Sequence, residues 1–366
     1  MNVRDSEIIS GLLLAGGFEI VEDKDQRTDA VLFVTCSVRQ HAEDRVWSEI
    51  GWFSKIEPKP VIGLVGCMAE NYKDAAFKRM PGIDLVVGTN NIGEIPNRLK
   101  EIFAHQLIRS SAHQPFLAVS KKERDELVYA AAFRQKKDSC FVVISEGCDN
   151  FCSYCVVPYV RGRLRHRKPQ DILQEIERAL DKGVTSITLL GQNVNAYQYR
   201  ECDFVRLMES VNSLKGLKEF TFFSSHPKDA SLEFFQAIAG LEKLRKYLHL
   251  PFQSGSNRIL GLMKRGYTRE HYTRLAEAYR KVVPGWELTT DIIVGFPGES
   301  QEDFAQTLSL AEKIRFNGAY IFKYSSRPHT QAGKLKDDVP RQEKERRHKI
   351  LLETQKRISK ELNPKR

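Results

Sequence analysis

Three cysteines stand close together near the middle of the chain and form a C-x3-C-x2-C pattern. They are Cys148, Cys152 and Cys155, with the aromatic residue Tyr154 directly before the last of them. Thiolates are the usual ligands of iron–sulfur clusters, and a four-iron cluster takes four ligands. Three thiolates therefore leave one iron open, and such an iron can chelate a small molecule and pass it one electron.

A structural zinc site is the alternative for this triad, by which we mean Cys148, Cys152 and Cys155. Structural zinc sites are closed and tetrahedral, and they usually pair two short Cys arms or add His ligands at regular spacing. The nearest other cysteines, Cys140 and Cys202, stand at no such spacing. The pattern therefore favours an iron–sulfur cluster.

Composition is compatible with a cluster protein that has a polyanionic partner. The chain of 366 residues is 41% hydrophobic and 28% charged, which is typical of a globular protein with more than one domain. Seven cysteines, an odd number, suit metal chemistry better than disulfides. The formal net charge of +10 indicates a polyanion as partner, although basicity alone is a weak signal. We find no secretion signal and no apolar run of about 18 residues, which predicts a cytoplasmic protein with no membrane partner.

Two further cysteines must be positioned by the first part of the chain. This part contains three strand-like runs, at 30–36, 61–67 and 84–88. Helical stretches at about 6–14, 41–56 and 92–103 accompany them. Apolar runs that alternate with helices predict an α/β domain with a doubly wound, parallel sheet of the flavodoxin-like type. Cys36 and Cys67 each close a strand, so they could reach one common metal centre at the carboxyl edge of the sheet. Ordinary buried thiols are the other interpretation.

A second region has a more regular alternation of strands and helices. A polar stretch at 105–138 predicts a linker, so 1–104 forms the first domain, 139–340 the second, and 341–366 a C-terminal helix with a possible basic face. A helix should begin at Pro169 and end before Gly183. Six strand–helix units predict a partial (β/α)6 barrel of the TIM type, with its chemistry at the C-terminal strand ends. The expected strands are 141–144, 186–190, 219–223, 247–250, 288–294 and 319–324.

Several motifs in collinear order resemble one known family. The triad lies in GCDNFCSYCVVPYVRG at 147–162, and it is followed by LGQNVNAY at 190–197, SHP at 225–227, HLPFQSGS at 249–256 and TDIIVGFPGE at 290–299. Upstream stand TCSVR at 35–39, HAEDR at 41–45 and GCMA at 66–69. These segments resemble the radical SAM methylthiotransferases, and within them the MiaB-like branch that modifies tRNA. The resemblance spans nearly the whole chain.

The resemblance implies a reaction and its cofactors. In this family the triad cluster cleaves S-adenosyl-L-methionine to a 5′-deoxyadenosyl radical, which removes hydrogen from carbon 2 of an adenine. A second [4Fe-4S] cluster in the N-terminal domain delivers sulfur, and another S-adenosyl-L-methionine supplies the methyl group. The product in the MiaB-like branch is 2-methylthio-N6-isopentenyladenosine at position 37, next to the anticodon. An aromatic C–H is too weak an acid for side-chain bases, so radical chemistry is required here.

The same resemblance implies which residues serve each cofactor. Cys148, Cys152 and Cys155 would hold the first cluster, and Cys36 and Cys67 would hold the second. The residues implied in binding S-adenosyl-L-methionine stand before the last triad cysteine or at barrel strand ends, with the Gly295–Gly298 turn near them: Tyr154, Gly191, Gln192, Asn193, His249, Gln253 and Asp291.

A basic run directly follows the triad and predicts contact with RNA. Its arginines, Arg161, Arg163, Arg165 and Arg167, could grip the phosphates of a tRNA anticodon stem-loop. A solvated charge run is the alternative. The run departs from the family at Leu164, where an acidic residue is common, and at His166, where serine is common.

Two larger departures concern the ends of the chain. The family usually has a third N-terminal cysteine in a Cys-Gln-Met-Asn segment, whereas this chain begins Met-Asn at that point, so the third ligand and the first strand are missing. We therefore expect a true start upstream of Met1, unpaired backbone beside the lost strand, and a poorly held second cluster, with Cys140 and Cys202 as possible substitutes. The chain also stops before the RNA-binding TRAM domain of the family. Binding of tRNA should then be weak and strongly salt-dependent.

Three functions remain open on sequence alone. The first is the tRNA methylthiotransferase described above, acting as a monomer with an electron donor such as flavodoxin or ferredoxin. The second is a sibling enzyme that acts on N6-threonylcarbamoyladenosine in tRNA or on an aspartate of a ribosomal protein. The third is a degenerate chain that binds RNA or S-adenosyl-L-methionine without inserting sulfur. The segment at 190–197 favours the first.

Overall fold

The computed structural model of the chain describes residues 1–21, 27–37, 40–107, 115–120, 123–132 and 138–362. The chain divides into two compact units. The first unit is formed by Met1–Lys136 together with Val156–Gly162, and the second by Lys137–Cys155 together with Arg163–Arg366. A short segment after the triad therefore belongs to the first unit, although it lies within the range 139–340 predicted for the second domain.

The first unit is an α/β unit with one parallel sheet. Its strands are β1 (Ala30–Thr35), β2 (Val61–Gly66), β3 (Leu85–Val87) and β4 (Phe116–Ala118). Its helices are α1 (Asn2–Ala15), α2 (Gln40–Phe53), α3 (Cys67–Tyr72), α4 (Ala75–Arg79), α5 (Ile95–Leu107), α6 (Glu126–Ala130) and α7 (Val157–Val160), with a 3-10 turn at Ile92–Glu94.

The strands lie in the order β1-β2-β3-β4, and every neighbouring pair is parallel. The predicted class of parallel-sheet α/β fold is thereby confirmed. Strand β1 lies at one edge of this sheet, and β2 is its neighbour. The two strands pair directly along their whole length, from Ala30 opposite Val61 to Thr35 opposite Gly66. The ladder satisfies the backbone groups on the side of β1 that faces β2, and the expectation of unpaired backbone beside a missing strand stays a prediction.

Helices cover the sheet because their apolar side chains recur at helical spacing. In α2 the buried positions Trp47, Ile50 and Phe53 are three residues apart and form one face. This face packs on alternate residues of the strands, among them Ile62 and Leu64 of β2. The packing fixes the strand ends that carry Cys36 and Cys67.

The segment 105–138, which we predicted to be a linker, contributes structure to the first unit. It supplies the edge strand β4, which pairs with β3, and the short helix α6. Residues 108–114, 121–122 and 133–137 of this segment lie outside the described residues. The charged run at 121–126 predicted a linker and gave no indication of the strand that precedes it.

The second unit contains six main strands, each followed by helix. They are β5 (Ser139–Val143), β8 (Ser186–Leu190), β11 (Glu219–Phe222), β12 (Tyr247–His249), β13 (Glu287–Val294) and β14 (Gly318–Lys323). Four two-residue strands are β6 (Ser145–Glu146), β7 (Arg165–His166), β9 (Gln198–Tyr199) and β10 (Cys202–Asp203). The helices are α8 (Pro169–Leu180), α9 (Phe204–Ser213), α10 (Leu232–Ala239), α11 (Asn257–Leu262), α12 (Arg269–Val282), α13 (Gln301–Ile314) and α14 (Arg341–Leu362), with 3-10 turns at Val194–Ala196, Pro227–Asp229 and Ala332–Lys334.

The six main strands form an open arc of parallel strands. One sheet has the order β5-β8-β11 and the other β12-β13-β14, and a parallel bridge from Phe220 to Leu244 connects the two. Each strand falls within two residues of its predicted position, and the partial-barrel class is confirmed. The first strand, β5, leads directly into the triad.

The C-terminal helix α14 is part of the second unit. It packs against β14 and α13 and buries Arg347, Leu351 and Ile358, so only its other face is exposed. Residues 363–366 lie outside the described residues. Within the described ranges, no helix has both the length and the apolar composition needed to cross a membrane.

Candidate functional site

The triad lies on a loop that a small antiparallel ladder closes. Strand β6, just before the loop, pairs with β7 through Ser145 opposite His166 and Glu146 opposite Arg165. Gly147 turns the chain with a φ of 74°, a value that favours glycine. The thiols of Cys148 and Cys152 are buried and that of Cys155 is half-buried. The sequence therefore folds so that three thiols leave the end of the first barrel strand.

Hydrogen bonds from Ser153 fix this loop to the rest of the second unit. The Ser153 backbone N–H donates to the Met263 carbonyl at 2.9 Å, and its hydroxyl donates to the Leu262 carbonyl at 2.7 Å. The Ser153 carbonyl accepts from the N–H of Ala332 at 2.7 Å. The loop is thus held at the end of α11, and the positions of the neighbouring cysteines follow from it.

Tyr154 packs into an apolar cluster at this place. The cluster is made of Ile259, Met263, Phe296, Tyr324 and Ala332, with Ile293 at its edge. Burial raises the pKa of Tyr154 well above its ordinary value, although the nearby Arg265 opposes this rise. Its implied part in cofactor binding stays a prediction.

Arg265 is a residue that sequence reasoning missed, and it reaches the triad. The side chain is buried, and its Nη1 lies 3.4 Å from the sulfur of Cys152 and 3.3 Å from the hydroxyl of Tyr154. Its Nη2 donates to the Pro251 carbonyl at 2.9 Å, and its Nε donates to the Tyr267 hydroxyl at 3.0 Å. Burial alone would lower the pKa of Arg265, but Tyr154, Tyr267 and Cys152 raise it well above its ordinary value. The guanidinium is therefore a fixed positive charge beside the triad.

The chemistry of the triad fits an iron–sulfur cluster, although the geometry of a bound metal is not preformed. Among the described residues, no group of three or more His, Cys, Asp or Glu side chains is arranged to hold a metal ion, and this includes the triad. The donors are nevertheless three thiols on one short loop, and one of the two buried thiols, that of Cys152, lies 3.4 Å from the Arg265 guanidinium. Thiolates are the ligands of iron–sulfur clusters, and a nearby positive charge favours the thiolate form of a cysteine. We conclude that the three cysteines of the triad are chemically suited to an iron–sulfur cluster.

Polar side chains at the end of β8 have unsatisfied hydrogen-bonding atoms. Within the described part of the chain, Gln192 Oε1 and Asn193 Oδ1 are buried without a partner, while Asn193 Nδ2 donates to Asp229 at 2.7 Å. Gly191 is required for packing: a Cβ there would lie 2.5 Å from the Ser145 hydroxyl and 3.1 Å from a Val194 methyl. Buried polar atoms without partners are rare, and here they suit a polar ligand.

Two further strand ends repeat this pattern. His226 and Gln253, after β11 and β12, have buried atoms, Nε2 and Oε1, that lack a partner among the described residues. Burial, together with the charges of Arg265 and Lys228, lowers the pKa of His226 to about 2, so its ring is neutral at neutral pH. Its Nδ1 accepts from the Lys228 N–H at 3.1 Å, which places the ring proton on Nε2. His226 lies in the 225–227 motif, but the motif alone did not predict a role for it.

His249 and Asp291 lie together on the neighbouring strands β12 and β13. His249 Nε2 is 3.4 Å from Asp291 Oδ2, and its Nδ1 is 3.0 Å from the hydroxyl of Thr289. The ring of Tyr320 on β14 lies 6.1 Å from that of His249. The structure therefore brings these two predicted site residues into contact, and their roles stay predictions.

The Gly295–Gly298 turn after β13 is held by a buried ion pair. The N–H of Gly295 and Nη1 of Arg347 both donate to Oε2 of Glu299 at 2.6 Å. Gly295 and Gly298 have φ values of 69° and 78°, which glycine adopts without strain. Helix α14 thus fixes the turn that follows the strand of Asp291.

In the first unit, Cys36 and Cys67 stand at the ends of two paired strands. Thr35 lies opposite Gly66 in the ladder, so the two cysteines that follow are neighbours at the carboxyl edge of the sheet. Burial raises the pKa of the Cys67 thiol, and a hydrogen bond from Arg161 opposes the rise. The structure brings the pair together, while their role as ligands stays a prediction. Cys140 is in the barrel core and Cys202 lies on β10, so neither belongs to this pair.

The structure contradicts the predicted contact with RNA phosphates at two of the four arginines of the basic run. Arg161 and Arg167 have only 4% and 7% of their side chains exposed, and they form ion pairs with Asp5 and Glu175. They cannot grip a phosphate on the surface, because their guanidinium groups hold the fold together. Arg165 is half-buried beside Glu146. Arg163, with 73% of its side chain exposed and an ion pair to Asp149, remains open to solvent.

Comparison with known proteins agrees with this fold. The Radical SAM superfamily matches residues 142–311, and the Uncharacterized protein family UPF0004 matches residues 1–88. A solved structure of the radical S-adenosylmethionine methyltransferase TsrM from Kitasatospora setae superimposes with a TM-score of 0.57 at 16% identity, over 79% of this chain and 60% of that one. The cobalamin-dependent S-adenosylmethionine radical enzyme OxsB gives a TM-score of 0.52 at 12% identity, over 87% of this chain and 46% of that one. At such identities the likeness shows the fold alone. The chain is a radical SAM protein.

Curated relatives narrow the family further. The tRNA-2-methylthio-N(6)-dimethylallyladenosine synthase of Syntrophomonas wolfei is 42% identical over 369 residues, which cover 99% of this chain and 81% of that protein. The enzyme of the same name from Moorella thermoacetica is 41% identical over 98% of this chain and 81% of its own length. The chain belongs to the family of tRNA-2-methylthio-N(6)-dimethylallyladenosine synthases.

Proposed function

We propose that this chain is a tRNA methylthiotransferase that converts N6-dimethylallyladenosine next to the anticodon, at position 37, into its 2-methylthio form. The observation that carries the proposal is the identity of 42% over 99% of the chain to a relative named for this product. The sibling substrates and a degenerate binding chain have no such support. The expected cofactors are two [4Fe-4S] clusters and S-adenosyl-L-methionine.

The triad would hold the first cluster, and bound S-adenosyl-L-methionine would supply the carbon radical that can break an aromatic C–H bond. The protein's own residues do the rest. Arg265 faces the sulfur of Cys152, and Ser153 fixes the loop between the ligands. Gln192, Asn193, Gln253 and His226 offer buried polar atoms at three strand ends, which suit the amino, carboxylate and ribose groups of such a cofactor. These atoms orient the cofactor.

The second cluster would lie at Cys36 and Cys67, which supply two thiols at one sheet edge. Arg161 stands beside Cys67, so this site also has a cation next to a sulfur. The tRNA anticodon stem-loop is the proposed polyanionic partner. Its phosphates would meet exposed arginines such as Arg163. The monomeric state, the flavodoxin or ferredoxin donor and the cytoplasmic location stay predictions.

Nucleoside mass spectrometry tests the proposal. The full chain is reconstituted with iron and sulfide without oxygen and incubated with S-adenosyl-L-methionine, a reductant and tRNA that contains N6-dimethylallyladenosine. We expect 2-methylthio-N6-dimethylallyladenosine as product, none with Cys152→Ser, and unchanged product with the control Cys202→Ser. Methylthiolation of N6-threonylcarbamoyladenosine instead, or tRNA binding without any product, would contradict the proposal.

A further inference from the structure

Arg265 has a positive charge in the interior of the second unit without a carboxylate partner. The side chain is 5% exposed, and among the described residues no carboxylate forms an ion pair with it. A buried charge is costly unless a counter-charge or strong hydrogen bonds compensate it. The side chains that its guanidinium contacts by hydrogen bonds are phenols or a thiol, namely Tyr154, Tyr267 and Cys152. Of these groups, a cysteine bound to metal is the one that is an anion at neutral pH.

The backbone fixes where this side chain points. Arg265 lies in the turn that ends α11, where its N–H donates to the Leu260 carbonyl at 3.0 Å. Lys264 before it and Gly266 after it have φ values of 55° and 72°, so the turn has a left-handed residue on each side. Such a turn has little freedom to reorient. The guanidinium is therefore placed by the fold.

The two ends of the guanidinium have different partners. Nη2 and Nε are used by the Pro251 carbonyl and the Tyr267 hydroxyl, both part of the protein framework. Tyr267 itself donates to the Phe252 carbonyl at 2.9 Å. These bonds leave Nη1 to face Cys152 Sγ at 3.4 Å and the Tyr154 hydroxyl at 3.3 Å. One end anchors the group and the other presents a donor to a ligand sulfur.

We infer that Arg265 is a positioning and charge-compensating residue for the triad, and that it raises the reduction potential of the cluster held there. The inference rests on the proposed function. Reduction adds one negative charge to the cluster, and hydrogen bonds and positive charge at its sulfurs favour the reduced state. The electron comes from the external reductant, and Arg265 supplies only the compensating charge. It does not contact substrate in this role.

The experiment is an anaerobic redox titration of the full chain, followed by electron paramagnetic resonance. The chain has Cys36→Ser and Cys67→Ser, so that only the triad contributes a signal. Arg265→Gln removes the charge, and Arg265→Lys keeps it without the fork. Tyr267→Phe removes one framework hydrogen bond of the guanidinium but keeps its charge and its bond to the Pro251 carbonyl.

We expect Arg265→Gln to make the cluster at least about tenfold harder to reduce, a fall of about 59 mV for one electron. Arg265→Lys should give a smaller fall, and Tyr267→Phe none. An unchanged potential in Arg265→Gln, or an equal fall in Tyr267→Phe, would overturn the inference. If Arg265→Gln does not fold, Arg265→Met, which also removes the charge, decides: a lower potential supports the inference and an unchanged one overturns it.

Failure of the proposed function gives a different result. In that case the nucleoside assay gives another product or none, while a cluster held by the triad can still be titrated. Iron bound to the triad, with the same potential in every Arg265 variant, contradicts only the role of Arg265.

Discussion

Arg161 and Asp5 lie 156 positions apart in the sequence and form a buried ion pair, with 2.6 Å between Nη2 and Oδ2. Arg124 donates to the other carboxylate oxygen of Asp5 at 2.9 Å. Burial alone would raise the pKa of Asp5, but Arg161 and Arg124 lower it to about 2. This network joins the segment after the triad to helix α1 within the first unit.

The network predicts different costs for two neighbouring arginines. Arg161→Ala leaves Asp5 buried with one partner fewer, and should lower the free energy of unfolding by about 3 kcal/mol. Arg163→Ala removes an exposed ion pair, and should change it by no more than about 0.5 kcal/mol. Urea unfolding followed by circular dichroism measures both. Equal effects would show that Arg161 is not part of the fold's support.

Glu70 predicts a pH dependence of stability. Burial raises its pKa from 4.5 to about 7, although the Thr89 N–H that it accepts at 3.1 Å opposes the rise. The folded state therefore favours the protonated acid, and this contribution is complete below pH 4.5 and is lost as the pH rises to 7. Glu70→Gln should raise stability by about 2–3 kcal/mol at pH 8 and by little at pH 4. Thermal unfolding across this range is the measurement; a pH-independent difference would contradict it.

An alanine in place of Gly191 should clash with a neighbouring side chain, and a second substitution should relieve the clash. Gly191→Ala places a Cβ 2.5 Å from the Ser145 hydroxyl, and should cost about 1–3 kcal/mol through overpacking. Ser145→Ala should be nearly neutral alone, since its buried hydroxyl has no partner among the described residues, and should restore much of the loss in the double variant. Gly261→Ala is the control, because a Cβ there meets nothing within 4 Å. Melting temperatures decide: no rescue means that another contact causes the loss.

The exposed arginine of the basic run predicts a change in tRNA binding. Arg163→Gln should weaken affinity for tRNA and reduce the slope of log affinity against log salt by about 1, because one phosphate contact is lost. Arg341→Gln, at a side chain that is 90% exposed on α14, should change neither quantity. Filter binding at several salt concentrations gives both values. An unchanged slope for Arg163→Gln would place the tRNA elsewhere.

Iron content separates the two cysteine sites. After anaerobic reconstitution, Cys148→Ser should remove about four irons per chain relative to the unsubstituted protein. Cys36→Ser with Cys67→Ser should remove the iron of the other site, whereas Cys140→Ser should remove none. Iron and sulfide assays measure all three. Loss of all iron in Cys36→Ser with Cys67→Ser would contradict independent sites.

Apolar periodicity and cysteine spacing in the sequence predicted many of the strands and helices and the position of the triad. Strands such as β8 and β13 and the helix α14 lie where apolar periodicity placed them, and the triad lies directly after β5. The burial of Arg161 and Arg167 could not be predicted, since both belong to a run that reads as an exposed basic surface and their partners come from the fold. Arg265 reaches Cys152 across 113 positions, with no spacing that signals the contact. The strand order β1-β2-β3-β4 was not predicted either, since strand pairing depends on contacts between distant segments.

The composition of the first unit from two stretches of chain has a consequence for dissecting the protein. Val156–Gly162 supplies Val156 and Val160 to the small core around Cys67, and Arg161 to the pair with Asp5. A fragment that ends at residue 136 would leave Cys67 without Val156 and Val160, and Asp5 without one of its two arginines. The first unit therefore cannot be cut out or exchanged as one continuous segment of the chain. Any attempt to express or swap the first one alone must carry the peptide 156–162 with it, grafted or added in trans.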